Sequence, residues 1–224
     1  MKKIIYAAFM LLLATNYANA SEHSWIDIFA NKITVKTKNL NPHIVKLAIK
    51  AFSSAQVSGV HITKPILTII DYTLPSTYKR LWVIDIARKK ILYNSLVAHG
   101  KYSGENYTTN FSNRINSLQT SVGLFLTENT YLGRYGYSLR LQGLEKGFND
   151  NAKVRAIVFH GAPYVNKKFA ATVGRIGRSW GCPAVEPKLA TPIINTIKDG
   201  TLIFSFSNHP QWLNQSKFIK SSQV

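Results

Sequence analysis

From residue 41 onward the chain alternates short apolar runs with clusters of Gly, Asn, Asp and Ser, a rhythm of many strands and few helices. Asn41-Pro42 has the form of an N-cap followed by Pro at the first helical position. Ile44, Leu47, Ala48, Ala51 and Phe52 then recur at helical spacing, predicting a short amphipathic helix that Gly59 and Pro65 break. Strands are predicted at 66–72, 80–87 and 90–98, the last two forming a hairpin around Arg88-Lys89. A polar loop follows over 101–116. Shorter strands are predicted at 123–127, 137–141, 154–160 and 201–206, and a helix is predicted to start at Thr191-Pro192 and stop at Gly200. The sum is a mainly β domain, a β-rich mixed sheet of sandwich or barrel type with short helices. Residues 21–80 are expected to supply a helix and first strand packed on a main domain over 81–208, with 209–224 as a polar tail.

The N-terminus changes the picture of where such a domain works. Lys2 and Lys3 precede an apolar stretch from Ile4 to Leu13, and Ala18-Asn19-Ala20 ends in small residues, the layout of a secretory leader cleaved after Ala20. The stretch is shorter than the roughly 20 residues that a spanning helix needs. Export is therefore expected, with a periplasm the favoured compartment. The 224 residues carry a formal charge of +18, falling to +16 without Lys2 and Lys3. That excess implies an anionic partner, unless it serves solubility alone. No nucleic-acid motif accompanies the scattered Lys and Arg residues, so wall polymer or lipid headgroups fit better than nucleic acid.

A single cysteine, Cys182, excludes an internal disulfide. In an oxidising compartment it is either a small buried apolar group or a reactive centre. Its surroundings favour chemistry. The predicted strand over 154–160 ends in His160-Gly161, and a glycine-containing loop leads to Ser179-Trp180-Gly181-Cys182-Pro183. A thiol needs a neighbouring base to become a nucleophile, and a histidine fixed at a strand end can serve. The amides of Gly181 and Cys182 are the candidate oxyanion donors, since a residue without Cβ lets backbone approach a substrate carbonyl.

These residues resemble the L,D-transpeptidase catalytic domain (YkuD-like), whose signature is His-Gly after a strand and then Ser-His-Gly-Cys. The likeness extends to Phe111-Ser112-Asn113, Ser121-Val122-Gly123, Tyr131, Gly136 to Gly143, and Gly177 to Ala184, covering roughly 81–206. It marks a divergent branch: Trp180 stands where the better-known branch has histidine, and Pro183-Ala184 replaces the residues that often follow the cysteine. The resemblance implies a peptidoglycan enzyme in which Cys182 attacks the carbonyl of the third residue of a tetrapeptide stem. D-Alanine leaves, a thioester forms, and an amine or water resolves it. His160 would be the base, oriented by Ser179 or a backbone carbonyl. Arg175 and Arg178 would meet stem carboxylates, and Tyr137, Trp180 and Gly161 would line the pocket. Reaction of the thiol with a carbapenem is implied too.

His99-Gly100 repeats the His-Gly pairing at another strand end and is a weaker candidate for the cleft rim. The remaining histidines, His23, His43, His61 and His209, lack ligand spacing, so neither metal nor cofactor is expected. The acceptor could be a second stem or a wall-attached protein, and the basic surface could rest on a membrane. Two rivals stand beside the transpeptidase: a carboxypeptidase or amidase of the same fold, and a non-catalytic wall-binding module.

Overall fold

The computed structural model describes residues 25–35 and 37–220. The expected leader, 1–20, lies outside them. The described chain begins with a helix over 25–34 (α1), followed by α2 (Pro42–Val57), whose cap Asn41 accepts the His43 N–H at 2.9 Å. Strands β1 (Ile66–Asp71), β2 (Leu81–Asp85) and β3 (Lys90–Ser95) come next, then β4 (Gly123–Gly133), β5 (Gly136–Gly143) and β6 (Val158–Gly161). The short helix α3 (Lys167–Val173), β7 (Ala184–Val185), α4 (Pro187–Ile197), β8 (Leu202–Phe206) and α5 (Pro210–Gln215) complete the order.

All eight strands form one sheet in the order β3-β2-β1-β8-β4-β5-β6-β7. Pairing is antiparallel except for β1 with β8 and β6 with β7. Beyond the end of β3 the Ala98 N–H reaches the Ala184 carbonyl at 2.8 Å, joining the outer edges into a nearly closed barrel. The fold class is thus the barrel-like, β-rich one expected.

Strands β1, β2 and β8 are buried along their whole length, which is why they read as continuous apolar runs. Leu67, Ile69, Trp82 and Phe204 face a cluster with α1, α2 and α5. Ile66, Ile70, Val83 and Ile203 face a second cluster that includes α4 and Cys182. Strand β1 is therefore central to the sheet, held between β2 and β8.

Three segments differ from the sequence expectation. Helix α4 starts at Pro187, one turn before Thr191, and Pro192 lies inside it. The carbonyl that loses its partner there belongs to the exposed first turn, where water can serve it. The strand expected over 154–160 is turn through 156, because Val154 is exposed and burial starts at Ile157. The expected polar tail folds back: Trp212, Phe218 and Ile219 are buried, and the Trp212 indole N–H donates to Glu145 Oε2 at 3.0 Å. No helix among the described residues is long and apolar enough to cross a membrane.

Candidate active site

Parallel pairing of β6 and β7 builds the site. His160 on β6 is in register with Ala184 on β7, two residues past Cys182, and the His160 N–H donates to the Pro183 carbonyl at 3.4 Å. Imidazole and thiol so reach one cleft of about 330 Å³, shared with Arg134, Tyr135, Arg155, Tyr164, Arg178 and Trp180. The residues lining it include three arginines and no carboxylate.

His160 Nδ1 donates to the carbonyl of Gly161 at 2.9 Å, which leaves Nε2 as the unprotonated nitrogen of the neutral ring. Nε2 has no hydrogen-bond partner among the described residues. The Tyr135 ring stacks on the imidazole at 4.5 Å and 24°. Burial lowers the pKa of His160, opposed by its bond to Gly161, so the ring rests neutral. This is the state that a general base requires.

Cys182 is buried. Its Sγ accepts the Val158 N–H at 3.5 Å and donates to the Ala156 carbonyl at 3.7 Å, and no bond to the imidazole is present among the described residues. Burial pushes the thiol pKa up, against the pull of the Val158 N–H and the Arg155 charge. The thiol at rest is therefore neutral and engaged with backbone rather than with the imidazole expected to be its base.

The loop before Cys182 is held from both sides. The Ser179 hydroxyl donates to the Cys182 carbonyl at 2.6 Å and accepts the Gly181 N–H at 3.1 Å. Ser179 therefore locks the turn that carries Cys182 and makes no bond to His160; the ring is oriented by the Gly161 carbonyl. The Gly181 amide, expected to be an oxyanion donor, is committed to Ser179, which leaves the Cys182 amide as the free candidate. Gly181 has φ +119°, and a Cβ there would lie 2.7 Å from the Gln119 carbonyl oxygen, so glycine is required.

Other expected residues have different neighbours. Arg175 Nε and Arg178 Nη1 both donate to Glu105, each at 2.7 Å, and Arg178 also bonds the carbonyls of Lys101 and Gly104. They brace the loop before Cys182 against residues 101–105. Tyr137 donates to Asn195 on α4 at 2.9 Å, outside the cleft lining, while Tyr135 and Tyr164 occupy the place expected for it. Trp180 is 62% exposed on the cleft wall. Gly161 allows α4 to approach, since a Cβ would sit 2.8 Å from Ala190 Cβ.

His99 is neither exposed nor at the rim. It is fully buried, its Nδ1 accepting from Arg80 at 2.7 Å and its Nε2 facing the Gly104 carbonyl at 3.2 Å. Burial, then the Arg80 charge, holds its pKa down to about 4. Its carbonyl accepts the Ser179 N–H at 2.9 Å, which makes His99 part of the wall behind the loop that carries Cys182.

Sequence reasoning missed Arg134, Tyr135 and Tyr164 of the cleft lining and, beside the thiol itself, Arg155. Its guanidinium bonds the Ser112 carbonyl, Ser121 Oγ, Ser117 Oγ and the Gln119 carbonyl, all neutral acceptors. The charge is thus left uncompensated beside Cys182. Its signal was an arginine within the otherwise apolar 154–161 run. No group of His, Cys, Asp or Glu among the described residues could hold a metal ion.

The sequence pattern of the L,D-transpeptidase catalytic domain matches residues 36–206. No curated protein matches the chain. Solved structures similar to it include an L,D-transpeptidase from Mycobacterium smegmatis, at 14% identity and TM-score 0.40 over 64% of this chain and 59% of that one. Another, from Stackebrandtia nassauensis, has 14% identity and TM-score 0.37 over 83% and 77%. The helical cell-shape-determining protein Pgp2 of Campylobacter jejuni has 14% identity and TM-score 0.40 over 69% and 53%. The chain spans about three-fifths of the length of the first of these neighbours.

Proposed function

The chain belongs to the L,D-transpeptidase catalytic-domain family, and from that premise we propose that it is an exported cysteine acyltransferase acting on peptidoglycan tetrapeptide stems. One observation carries this reading: the β6–β7 pairing delivers a neutral imidazole with a free Nε2 and the only thiol of the chain to one cationic cleft.

In the proposed cycle Sγ leaves its backbone partners and passes its proton to His160 Nε2. The thiolate adds to the carbonyl of the third stem residue, and the Cys182 amide faces the developing oxyanion. Collapse expels D-alanine, whose amine takes the proton from His160, and leaves a thioester. An acceptor amine then adds, gives its proton to His160, and releases the thiolate as the new amide forms; His160 passes that proton to Sγ, which restores the neutral thiol and imidazole. Arg134 and Arg155 set a positive field in which the carboxylates of a stem peptide are favoured.

The buried, backbone-bonded thiol supports a second reading, a wall-binding module whose cysteine is structural. Incubation with a disaccharide tetrapeptide, followed by intact mass spectrometry beside Cys182→Ala, separates the two. A thioester adduct and a stem dimer joined between third residues support the transpeptidase. Loss of D-alanine without dimer would move the assignment to a hydrolase, and absence of any adduct would leave the binding module.

A further inference from the structure

A second concavity, of about 910 Å³, lies between α1 and the β2–β3 hairpin and shares no lining residue with the catalytic cleft. Six cations rim it: Lys32, Lys38, Lys79, Arg88, Lys89 and Lys90. No acid lines it, and the nearest ion pair is that of Arg88 with Asp85, at 3.6 Å. The other five have no carboxylate partner among the described residues. Two lysines elsewhere do have carboxylate partners, Lys46 with Asp27 and Lys153 with Glu128, both at 2.6 Å.

Crowding like charges without an internal counter-charge opposes folding, so the offset has to come from outside. Two backbone details sharpen this. Lys89 and Asn39 on the rim take φ +52° and +67°, a region that favours glycine. At Lys89 the hairpin tip accepts that cost while keeping a cation there. Thr37, on the same wall, has a hydroxyl with no hydrogen-bond partner.

We infer that this groove binds a linear polyphosphate, a polymer with an anionic phosphate at every unit. Lysine ammonium groups act as point charges with rotating donors and suit tetrahedral phosphates. Planar arginine forks, which grip carboxylate and phosphate alike, are not offered, since the only arginine here is turned to Asp85. The lining has no aromatic ring on which a nucleobase could stack, which disfavours nucleic acid. A concave wall with Ile33 buried at its base suits a chain laid in a groove better than a flat bilayer. The inference stands apart from the catalytic reading, and its test needs no turnover.

The test is titration of the full chain with inorganic polyphosphate, read by calorimetry at several salt concentrations. It is repeated with Lys38→Glu/Lys89→Glu/Lys90→Glu and with a charge-matched control, Lys167→Glu/Lys168→Glu/Lys188→Glu. The groove variant should bind at least tenfold more weakly, with a shallower salt dependence, and the control less than twofold more weakly. Acetylation of the unaltered protein gives a measure independent of variant folding: polyphosphate should protect Lys38, Lys89 and Lys90 but not Lys168. Equal losses in both variants, or no selective protection, would overturn the site. Equal binding of polyglutamate would overturn phosphate as the ligand. Binding to phosphatidylglycerol vesicles but not to soluble polyphosphate would overturn the polymer in favour of a lipid headgroup.

Discussion

Replacing Gly181 by alanine tests the geometry of the nucleophile loop with a single methyl group. The residue has φ +119°, and holding an L-residue in such a region costs about 1 to 3 kcal/mol. The new Cβ would also lie 2.7 Å from the Gln119 carbonyl oxygen and 3.0 Å from Ile157 Cδ1. That oxygen is backbone and is gripped by the Arg155 guanidinium, so it cannot retreat freely, and overpacking adds about 1 to 3 kcal/mol. Together the loss is about 2 to 6 kcal/mol, a fall in melting temperature on the order of 10 °C for a domain of this size. Gly147→Ala is the control: its φ is +83°, but nothing lies within 4 Å of the added methyl. It should cost about 1 to 2 kcal/mol, from backbone conformation alone. Urea denaturation gives the difference, and the rate of Cys182 alkylation reports whether the thiol has moved. Equal destabilisation of the two variants would refute the crowding argument, because the contact with Gln119 is what separates them.

Arg155→Met should move the pH profile of Cys182 alkylation to higher pH, with Arg155→Lys in between, since the guanidinium charge favours the thiolate; an unmoved midpoint would remove Arg155 from the site's electrostatics. Ser179→Ala should cost about 1 to 3 kcal/mol by stripping the partners of the Gly181 N–H and Cys182 carbonyl, while the NMR titration of His160 stays put. A moved titration would return Ser179 to the role of orienting the imidazole. For His99 the folded pKa, about 4, lies below the unfolded value, 6.5, so its contribution is full above 6.5 and is lost as pH falls towards 4. The loss is about 3 kcal/mol, and His99→Gln should flatten the stability curve in that window; equally steep curves would contradict the buried, neutral state. Trp180→Ala should change stability by less than about 0.5 kcal/mol, because the side chain is largely exposed, and a larger loss on thermal melting would show that it packs.

Much of the barrel was legible because three of its strands, β1, β2 and β8, are short and buried on both faces. The runs at Ile66 and Leu202 have turn residues at either end and admit little else, and Asn41-Pro42 announced α2 through its cap. The residues that failed to read correctly depend on partners distant in sequence. Nothing near His99 shows that Arg80 will be buried against it, and the two arginines beside the nucleophile gave no hint that Glu105 would hold both. Trp212 is parted from Phe218 and Ile219 by a mostly polar stretch, so their common burial emerges only once α5 docks on the sheet.

The same dependence governs the chemistry. His160 and Cys182 lie in the order that the motif required, yet the thiol bonds Val158 and Ala156 and not the imidazole. The two backbone partners flank the entry to β6, Ala156 closing the turn and Val158 opening the strand, and Arg155 lies in that turn, tied to the 112–121 loop. A substrate carboxylate drawn to Arg155 would therefore press on the segment that holds the thiol in its resting position. Movement of that turn would loosen both Sγ contacts together, freeing the thiol to meet Nε2. On this view the arginine couples arrival of an anionic stem to release of the nucleophile. An amide exchange experiment can decide it: a tetrapeptide stem should raise exchange at Val158, and amidation of the stem's carboxylates should abolish the effect. Unchanged exchange at Val158 with bound stem would refute the coupling.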